Sequence, residues 1–431
     1  MRRSRGFMKR LSSVTLGAFA LLIFLPLADA EATIYAQWVQ LGPDGTSSAR
    51  AITDAACPAV IFDGVSVAMS VRSEPDQKLG NVKPAEFPVR GCEVAVPRGT
   101  RAASIAGKPL PVPKANPQRI LVFGDTGCRL LGRAVQNCND PVDWPFAKIV
   151  ALAAAAMPDL VIHVGDYHYR ENACPVARAG CAGSPFGYGF DAWNADFFAP
   201  AAPLLAAAPW VMVRGNHEDC VRAGEGWLRF LDRRPMEATC RDLTGTFVAR
   251  LGDFGVVVVD GAAAADPRGD MSALVDTLRR QFAEVAGKVP AEAWLVSHRP
   301  LNAMISAGTG GEQSVVENAV QERAFGPEMP AGVRMSVAGH VHFFQAVDFG
   351  GTRPPQLVVG TGGDALTTMT PMSVIGADIN GKRVVSSVTR LGFGYMIWER
   401  SGAEWLGTLF DVDGKPIDRC RLASRSLSCG L

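Results

Sequence analysis

Six short apolar runs, five of them leading into chemistry-bearing residues, constrain this chain more than any other feature. They are Ile120–Phe123, Leu160–Val164, Trp210–Val213, Gly255–Val259, Ala293–Val296 and Met335–Ala338. Runs of this length, bounded by turn residues and separated by helical stretches, predict strands buried on both faces in an α/β layered core. Phe146–Met157 is Ala-rich and predicts a helix. Met271–Ala286 predicts another, because Leu274, Leu278, Phe282 and Val285 recur at spacings of three and four, with Asp270 or Ser272 as cap. A third, weaker helix is predicted over Val315–Phe325.

Five of the runs lead into polar residues of one kind. They are Gly124-Asp125-Thr126-Gly127, Gly165-Asp166-Tyr167-His168-Tyr169, Arg214-Gly215-Asn216-His217-Glu218, Ser297-His298-Arg299 and Gly339-His340-Val341-His342. Sites in open α/β sheets lie at the strand carboxyl ends, so these five segments are expected to converge. Two carboxylates, an amide, a phenol and several imidazoles make a nitrogen and oxygen donor set without sulfur. Such a set suits Zn, Fe or Mn and is too nitrogen-rich for Ca. The chain has six His. Five fall in these segments, and His163, inside an apolar strand, reads as a core histidine. A lone Gly-Asp has no weight: Gly252-Asp253 and Gly269-Asp270 also occur and read as turns.

Taken together and in order, the five segments resemble the calcineurin-like metallophosphoesterases. The form Asp166-x-x-Tyr169 resembles the purple acid phosphatase branch. Most other branches place His two residues after the first Asp. Here that residue is Gly127, and Tyr169 replaces the missing donor. The resemblance spans about 120–365. It implies a four-layer α-β-β-α sandwich and two metal ions. Asp125, Tyr169 and His342 would hold the first ion, Asn216, His298 and His340 the second, and Asp166 would bridge them. The branch implies Fe(III) at the tyrosine site and Fe(II), Zn or Mn at the other; a hard anionic phenolate favours the trivalent ion. Such a pair polarises a phosphoryl group and activates a water or hydroxide.

His217 and His168 are the catalytic candidates. His217 would contact the phosphoryl group and protonate the leaving alkoxide. His168 would face substrate or sit behind the metal ligands, with a surface position as the ordinary alternative. Glu218 is expected behind the ligands as well. Arg170, Arg214 and Arg299 are candidates for a phosphate clamp, with structural ion pairing as the ordinary alternative. Tyr167, Tyr188 and Trp193 are candidates for a leaving-group pocket, rimmed by the insert from Arg170 to Phe190. Gly360-Thr361-Gly362-Gly363 follows the strand Gln356–Val359 without a Lys and a helix, so it is a tight turn near the site and not a P-loop.

The termini set the compartment. Five positive charges precede an apolar run from Val14 to Leu27, and Ala28-Asp29-Ala30 follows. Residues 1–30 therefore read as a cleaved signal peptide, leaving no stable membrane span. The mature chain has 38 basic and 41 acidic residues, a net charge of −3. That charge excludes a charge-driven nucleic-acid binder. All ten Cys lie beyond residue 30 and none form a C-x-x-C pair. In an exported chain they predict disulfides between chain neighbours: Cys57–Cys92, Cys128–Cys138, Cys174–Cys181, Cys220–Cys240 and Cys420–Cys429.

Three domains are expected. Residues 1–30 are the signal peptide. Residues 31–115 form a small β-rich domain, with strands at Ala59–Asp63, Val65–Val71 and Glu93–Val96 and a Pro-rich linker over 111–117. Residues 116–431 form the catalytic domain, β-rich from Val374 on, with Asn380-Gly381 as a hairpin turn. The expected function is an exported phosphomonoesterase acting on small phosphate esters. The alternatives are a phosphodiesterase of nucleotide or lipid-derived diesters, and a binding or scaffold protein whose metal site is structural.

Overall fold

The computed structural model describes residues 32–132, 134–264, 270–307, 312–326, 329–367, 374–379 and 381–430. The proposed signal peptide lies outside these residues.

All six apolar runs are strands, in two sheets. In the larger sheet Arg119–Phe123, Leu160–His163 and Trp210–Met212 run parallel, with Phe123 opposite His163 and His163 opposite Met212. In the smaller sheet Phe254–Val259, Glu292–Ser297, Val333–Ala338 and Gln356–Val359 run parallel. Alternate residues take opposite sides, as a strand requires. Ile120 and Val122 face the second sheet, where they join Val256, Val258, Trp294 and Val296 in one core. Leu121 and Phe123 face the other way, onto helices Phe146–Ala155 and Ala199–Ala207. Val257, Val259 and Leu295 meet helices Ser272–Ala286 and Ala319–Phe325 on the far side of the second sheet. The result is the expected four-layer α-β-β-α sandwich. Trp294 joins the two sheets by edge contacts to Trp398 and Trp405, at ring-centroid distances of 5.6 and 5.3 Å.

Two expectations change, and one helix lies outside those predicted. Val315–Glu317 is not helical. It ends the strand Glu312–Glu317, which pairs with Asn302–Ala307, and its β-branched Val315-Val316 suits that role. The helix starts at Ala319, after Asn318, whose side chain accepts from the Gln321 N–H at 3.0 Å. Helix Ala199–Ala207 was not predicted; it contains Pro203 and continues directly from the helical turns Phe190–Trp193 and Asn194–Phe198. Finally, Val65–Val71 is two strands, Val65–Ala68 and Ser70–Ser73, which belong to different sheets.

The N-terminal β region is present but is not set apart at residue 115. Ile34–Leu41 lies beside Trp210–Met212, parallel, with Gln40 opposite Trp210, and Ser47–Thr53, Arg90–Ala95 and Ser70–Ser73 follow it to the edge of the larger sheet. Val39, Ala49 and Ala51 face a small four-stranded sheet built on Val60, Phe62 and Ile105, whereas Trp38 and Ile52 join the main core. Thr33–Leu431 forms one compact unit. The C-terminal strands Gly394–Ser401, Glu404–Asp411, Pro416–Ala423 and Ser426–Cys429 complete the opposite edge of the larger sheet. The expected Asn380-Gly381 turn lies partly outside the described residues; Asp378–Ile379 and Lys382–Arg383 pair on either side of it. All five expected disulfides are formed.

Candidate metal centre

The backbone turns sharply as strands deliver side chains to one end of the sandwich. Asp125, Asp166 and His340 all adopt positive φ, at 58°, 58° and 70°. Non-glycine residues rarely hold this conformation, and they gather where a site needs it. The glycines that precede the donor residues have a second explanation. A Cβ on Gly215 would lie 2.1 Å from Asp166 Oδ1, and one on Gly339 would lie 2.3 Å from Asp125 Oδ2. Each glycine is therefore a seat for a carboxylate from another strand end.

The seven expected metal donors come together. Tyr169 Oη lies 2.7 Å from Asp166 Oδ2, 3.3 Å from Asp125 Oδ1 and 3.1 Å from His342 Nε2. His298 Nε2 lies 3.1 Å from Asp166 Oδ2 and 3.0 Å from Asn216 Oδ1. Asp166, His298 and His340 each offer a donor atom within 4.8 Å of the others. Asp166 Oδ2 thus belongs to both groups.

The hydrogen bonds fix which ring nitrogen each histidine presents. His298 Nδ1 meets the Val164 carbonyl at 2.8 Å, so it carries the hydrogen and Nε2 holds the lone pair. His342 Nδ1 meets the Ala365 carbonyl at 2.7 Å and Asp364 Oδ2 at 3.0 Å, which again frees Nε2. His340 Nε2 accepts from Arg299 at 2.9 Å, which in the neutral ring places the hydrogen on Nδ1. The facing atoms of Asp166, Asn216, His298 and His342 are consequently acceptors: a carboxylate oxygen, an amide oxygen and two imidazole lone pairs, with one phenol hydrogen, that of Tyr169, among them. Such a cluster needs bound cations or added protons to balance it, and N/O donors of this kind fit transition metal ions.

Titration behaviour points the same way. Burial works against a charge on Asp166, yet His298 and His217 hold its carboxyl well below the usual range. Burial likewise lowers His298 and His342, but Asp166 outweighs it at the first and Asp364 and Asp125 at the second, so both rise. Burial and then Asp166, Asp364 and Asp125 push the Tyr169 phenol well above its ordinary value. Protons balance the negative charge in the metal-free protein; bound metal would displace them.

His217 sits at the edge of the cluster. Its N–H donates to Asp166 Oδ1 at 2.9 Å, its ring lies 3.8 Å from that of Tyr169, and its Nδ1 is 2.8 Å from Glu171 Oε1. Arg222 bonds Glu171 and reaches His217 Nδ1 at 2.6 Å. Glu218 lies behind the donors. Its Oε2 accepts from the N–H groups of Asp166 and Gly215, its Oε1 from those of Tyr167 and His168. Burial and the Asp166 charge nevertheless push its carboxyl up to about 8.

His168 is not at the site. Its ring is fully buried between Tyr188 and Trp193, at 5.8 and 5.7 Å, because Asp166 and Tyr169 face the cleft and the two residues between them face the core. Tyr167 and Trp193 are buried there too and line no leaving-group pocket. Arg170 is locked to buried Asp196 at 2.6 Å, and Arg214 to the Glu218 carbonyl at 2.7 Å, so neither is a phosphate clamp. His163 is a satisfied core residue, bonded to Thr126 Oγ1 at 3.0 Å and Gly165 N at 3.1 Å.

Asp166, Tyr169, Asn216, His217, His340 and His342 open onto a cleft of about 690 Å³, which Arg129 also lines. Arg129, Asp364, Glu171 and Arg222 were not identified from the sequence. Each is an isolated polar residue in a loop; only the place of Glu171, two residues after Tyr169, hinted at a role. The Gly360–Gly363 turn lies near the site as expected, where it delivers Asp364, whose N–H donates to the Asp125 carbonyl at 2.8 Å.

The sequence model of the calcineurin-like phosphoesterases matches residues 118–344, more than half of the chain, and the chain belongs to that family. Family membership implies a metal-dependent phosphoesterase. Among solved structures, purple acid phosphatase PPD1 from yellow lupin (Lupinus luteus) seeds is similar at a TM-score of 0.55 and 14% identity, over 91% of this chain and 74% of that one. PhoD is similar at a TM-score of 0.52 and 12% identity, over 92% of both chains. No curated protein sequence matches. At these identities the structural likenesses speak for the fold alone.

Proposed function

We propose that this protein is an exported phosphomonoesterase that holds two metal ions. Asp125, Tyr169 and His342 would hold one, Asn216, His298 and His340 the other, with Asp166 between them. The observation that carries the reading is the acceptor-rich cluster: Asp166 Oδ2 faces Tyr169 Oη at 2.7 Å and His298 Nε2 at 3.1 Å. Bound cations would polarise the phosphoryl oxygen and make an attacking water acidic. The phenolate of Tyr169 favours a trivalent ion such as Fe(III), with Fe(II), Zn or Mn at the second position.

The chain's own residues supply the rest. Glu171 and Arg222 fix the His217 ring, and the backbone bond to Asp166 holds it beside the donor cluster. His217 is then placed to contact the phosphoryl group and to give a proton to the leaving alkoxide as the P–O ester bond breaks. The complete donor set argues against a scaffold whose metal site is only structural. Five disulfides suit an oxidising compartment, the periplasm or the exterior. Among the described residues no helix is long and apolar enough to cross a membrane.

One observation favours a second reading. The cleft carries an apolar wall of Ala134, Val341, Phe343, Ala365 and Leu366, which leaves room for a second ester arm. A phosphodiesterase would use it. Turnover of a chromogenic monoester and its diester counterpart, by protein of known metal content, separates the two. Faster monoester hydrolysis supports the proposal; faster diester hydrolysis replaces it with the phosphodiesterase reading.

A further inference from the structure

Arg129 lines the cleft beside Tyr169. Its loop is held firmly. Cys128 is bridged to Cys138, the Arg129 N–H donates to Gln136 Oε1 at 2.8 Å, and the Leu130 N–H donates to the Tyr169 carbonyl at 3.0 Å. Gln136 itself is buried and donates to the Asp143 and Gly363 carbonyls. The guanidinium then lies 4.9 Å from the centre of the Tyr169 ring. One edge, Nε with Nη2, is taken by Asp364. Asp364 is fully buried and also faces His342 Nδ1 at 3.0 Å, so its negative charge is shared between two partners. The other nitrogen, Nη1, has no hydrogen-bond partner among the described residues, and the side chain is 20% exposed in the cleft.

The position is offset from the reacting centre. Nη2 is 3.4 Å from His342 Nδ1, on the side of that ring away from Tyr169 and Asp125. A group bonded to Nη1 would sit beside the donor cluster, on the Arg129 side of the cleft. Arg222, beside His217, is paired with Glu171, and Arg299 bonds His340 Nε2 at 2.9 Å.

We propose that Arg129 is a specificity residue that binds a second anionic group on the substrate, so that phosphate esters carrying one near the reacting phosphate are preferred. The guanidinium is fixed before substrate arrives, so little ordering cost offsets its charge-assisted hydrogen bonds. The inference rests on the phosphoesterase reading of the same cleft.

Calorimetric binding to the metal-loaded protein tests it without turnover, using 3-sulfopropylphosphonate and propylphosphonate, which differ by one sulfonate. The wild type is expected to bind the sulfonate compound about tenfold tighter. Arg129→Gln should bring the ratio of the two dissociation constants to near one, and Arg129→Lys should keep part of it. The double variant Arg129→Gln/Asp364→Asn, which leaves no unpaired buried charge, should match Arg129→Gln. Equal wild-type affinities, a preference that survives Arg129→Gln, or no binding of either compound would overturn the proposal. Arg129-dependent binding in a protein that hydrolyses no phosphate ester would sustain it and remove the hydrolase reading instead.

Discussion

At Gly215 a single methyl group decides whether the donor cluster can assemble. A Cβ there would meet Asp166 Oδ1 at 2.1 Å and the Asp166 amide nitrogen at 2.2 Å. Gly215→Ala is therefore expected to displace the carboxylate shared by both donor groups and to lower bound metal by at least one ion per chain. Gly287→Ala, where nothing lies within 4 Å, should bind metal like the wild type, and its stability should stay within about 0.5 kcal/mol. Metal analysis of the two purified variants checks this. Glu171 carries a pH prediction. Burial alone would raise its carboxyl, but hydrogen bonds from His217 and Arg222 outweigh it and bring it down to about 2. A carboxyl lowered on folding stabilises the native state above its unfolded value, near 4.5, and that contribution fades as pH falls through 2. The melting-temperature gap between wild type and Glu171→Gln should be widest above pH 5 and close toward pH 2. A gap independent of pH would show that the ion pair is not its source. Tyr169 adds a spectroscopic test: if iron(III) is held there, the loaded protein absorbs visible light by phenolate-to-metal charge transfer, and Tyr169→Phe loses the band.

At the scale of elements, the strands explain why much of the site could be read in advance. Val256 to Val259 are apolar on both faces because one face meets a sheet and the other meets helices, so the run stands out in the sequence. Where such runs end, the chain must turn, and the donors sit at the turns. Arg129 and Asp364 could not be found this way. They are far apart in the chain, carry no periodicity, and meet only because the Gly360–Gly363 turn packs against the Asp125 turn. The placement of Ile34–Leu41 was hidden for a similar reason. Its parallel partner, Trp210–Met212, is distant in sequence, and local alternation reveals a strand but not its neighbour. His168 misled because chemistry-bearing residues on both sides suggested a common face, whereas the Asp166–Tyr169 turn sends alternate pairs to cleft and core. Helix Ala319–Phe325 offers an element-scale test. Asn318→Ala removes the acceptor for the Gln321 N–H and should cost about 1 kcal/mol in denaturant unfolding.

Across the whole molecule, two sheets bury one core between them and bring strand ends from both to a single cleft. Asp125, Asp166 and Asn216 follow strands of the larger sheet, and His298, His340 and His342 follow strands of the smaller one. The donor cluster therefore spans the sheet–sheet seam, and metal binding should couple to the stability of the entire fold. The central claim is that this cluster holds the metals on which ester hydrolysis depends. The most direct measurement is hydrolysis of p-nitrophenyl phosphate by the purified mature protein before metal removal, after it, and during stepwise restoration with metal content followed in parallel. The account predicts that activity disappears with the metals and returns in full only as content approaches two ions per chain. Undiminished hydrolysis by the metal-free protein, or none by protein carrying two ions, would contradict it.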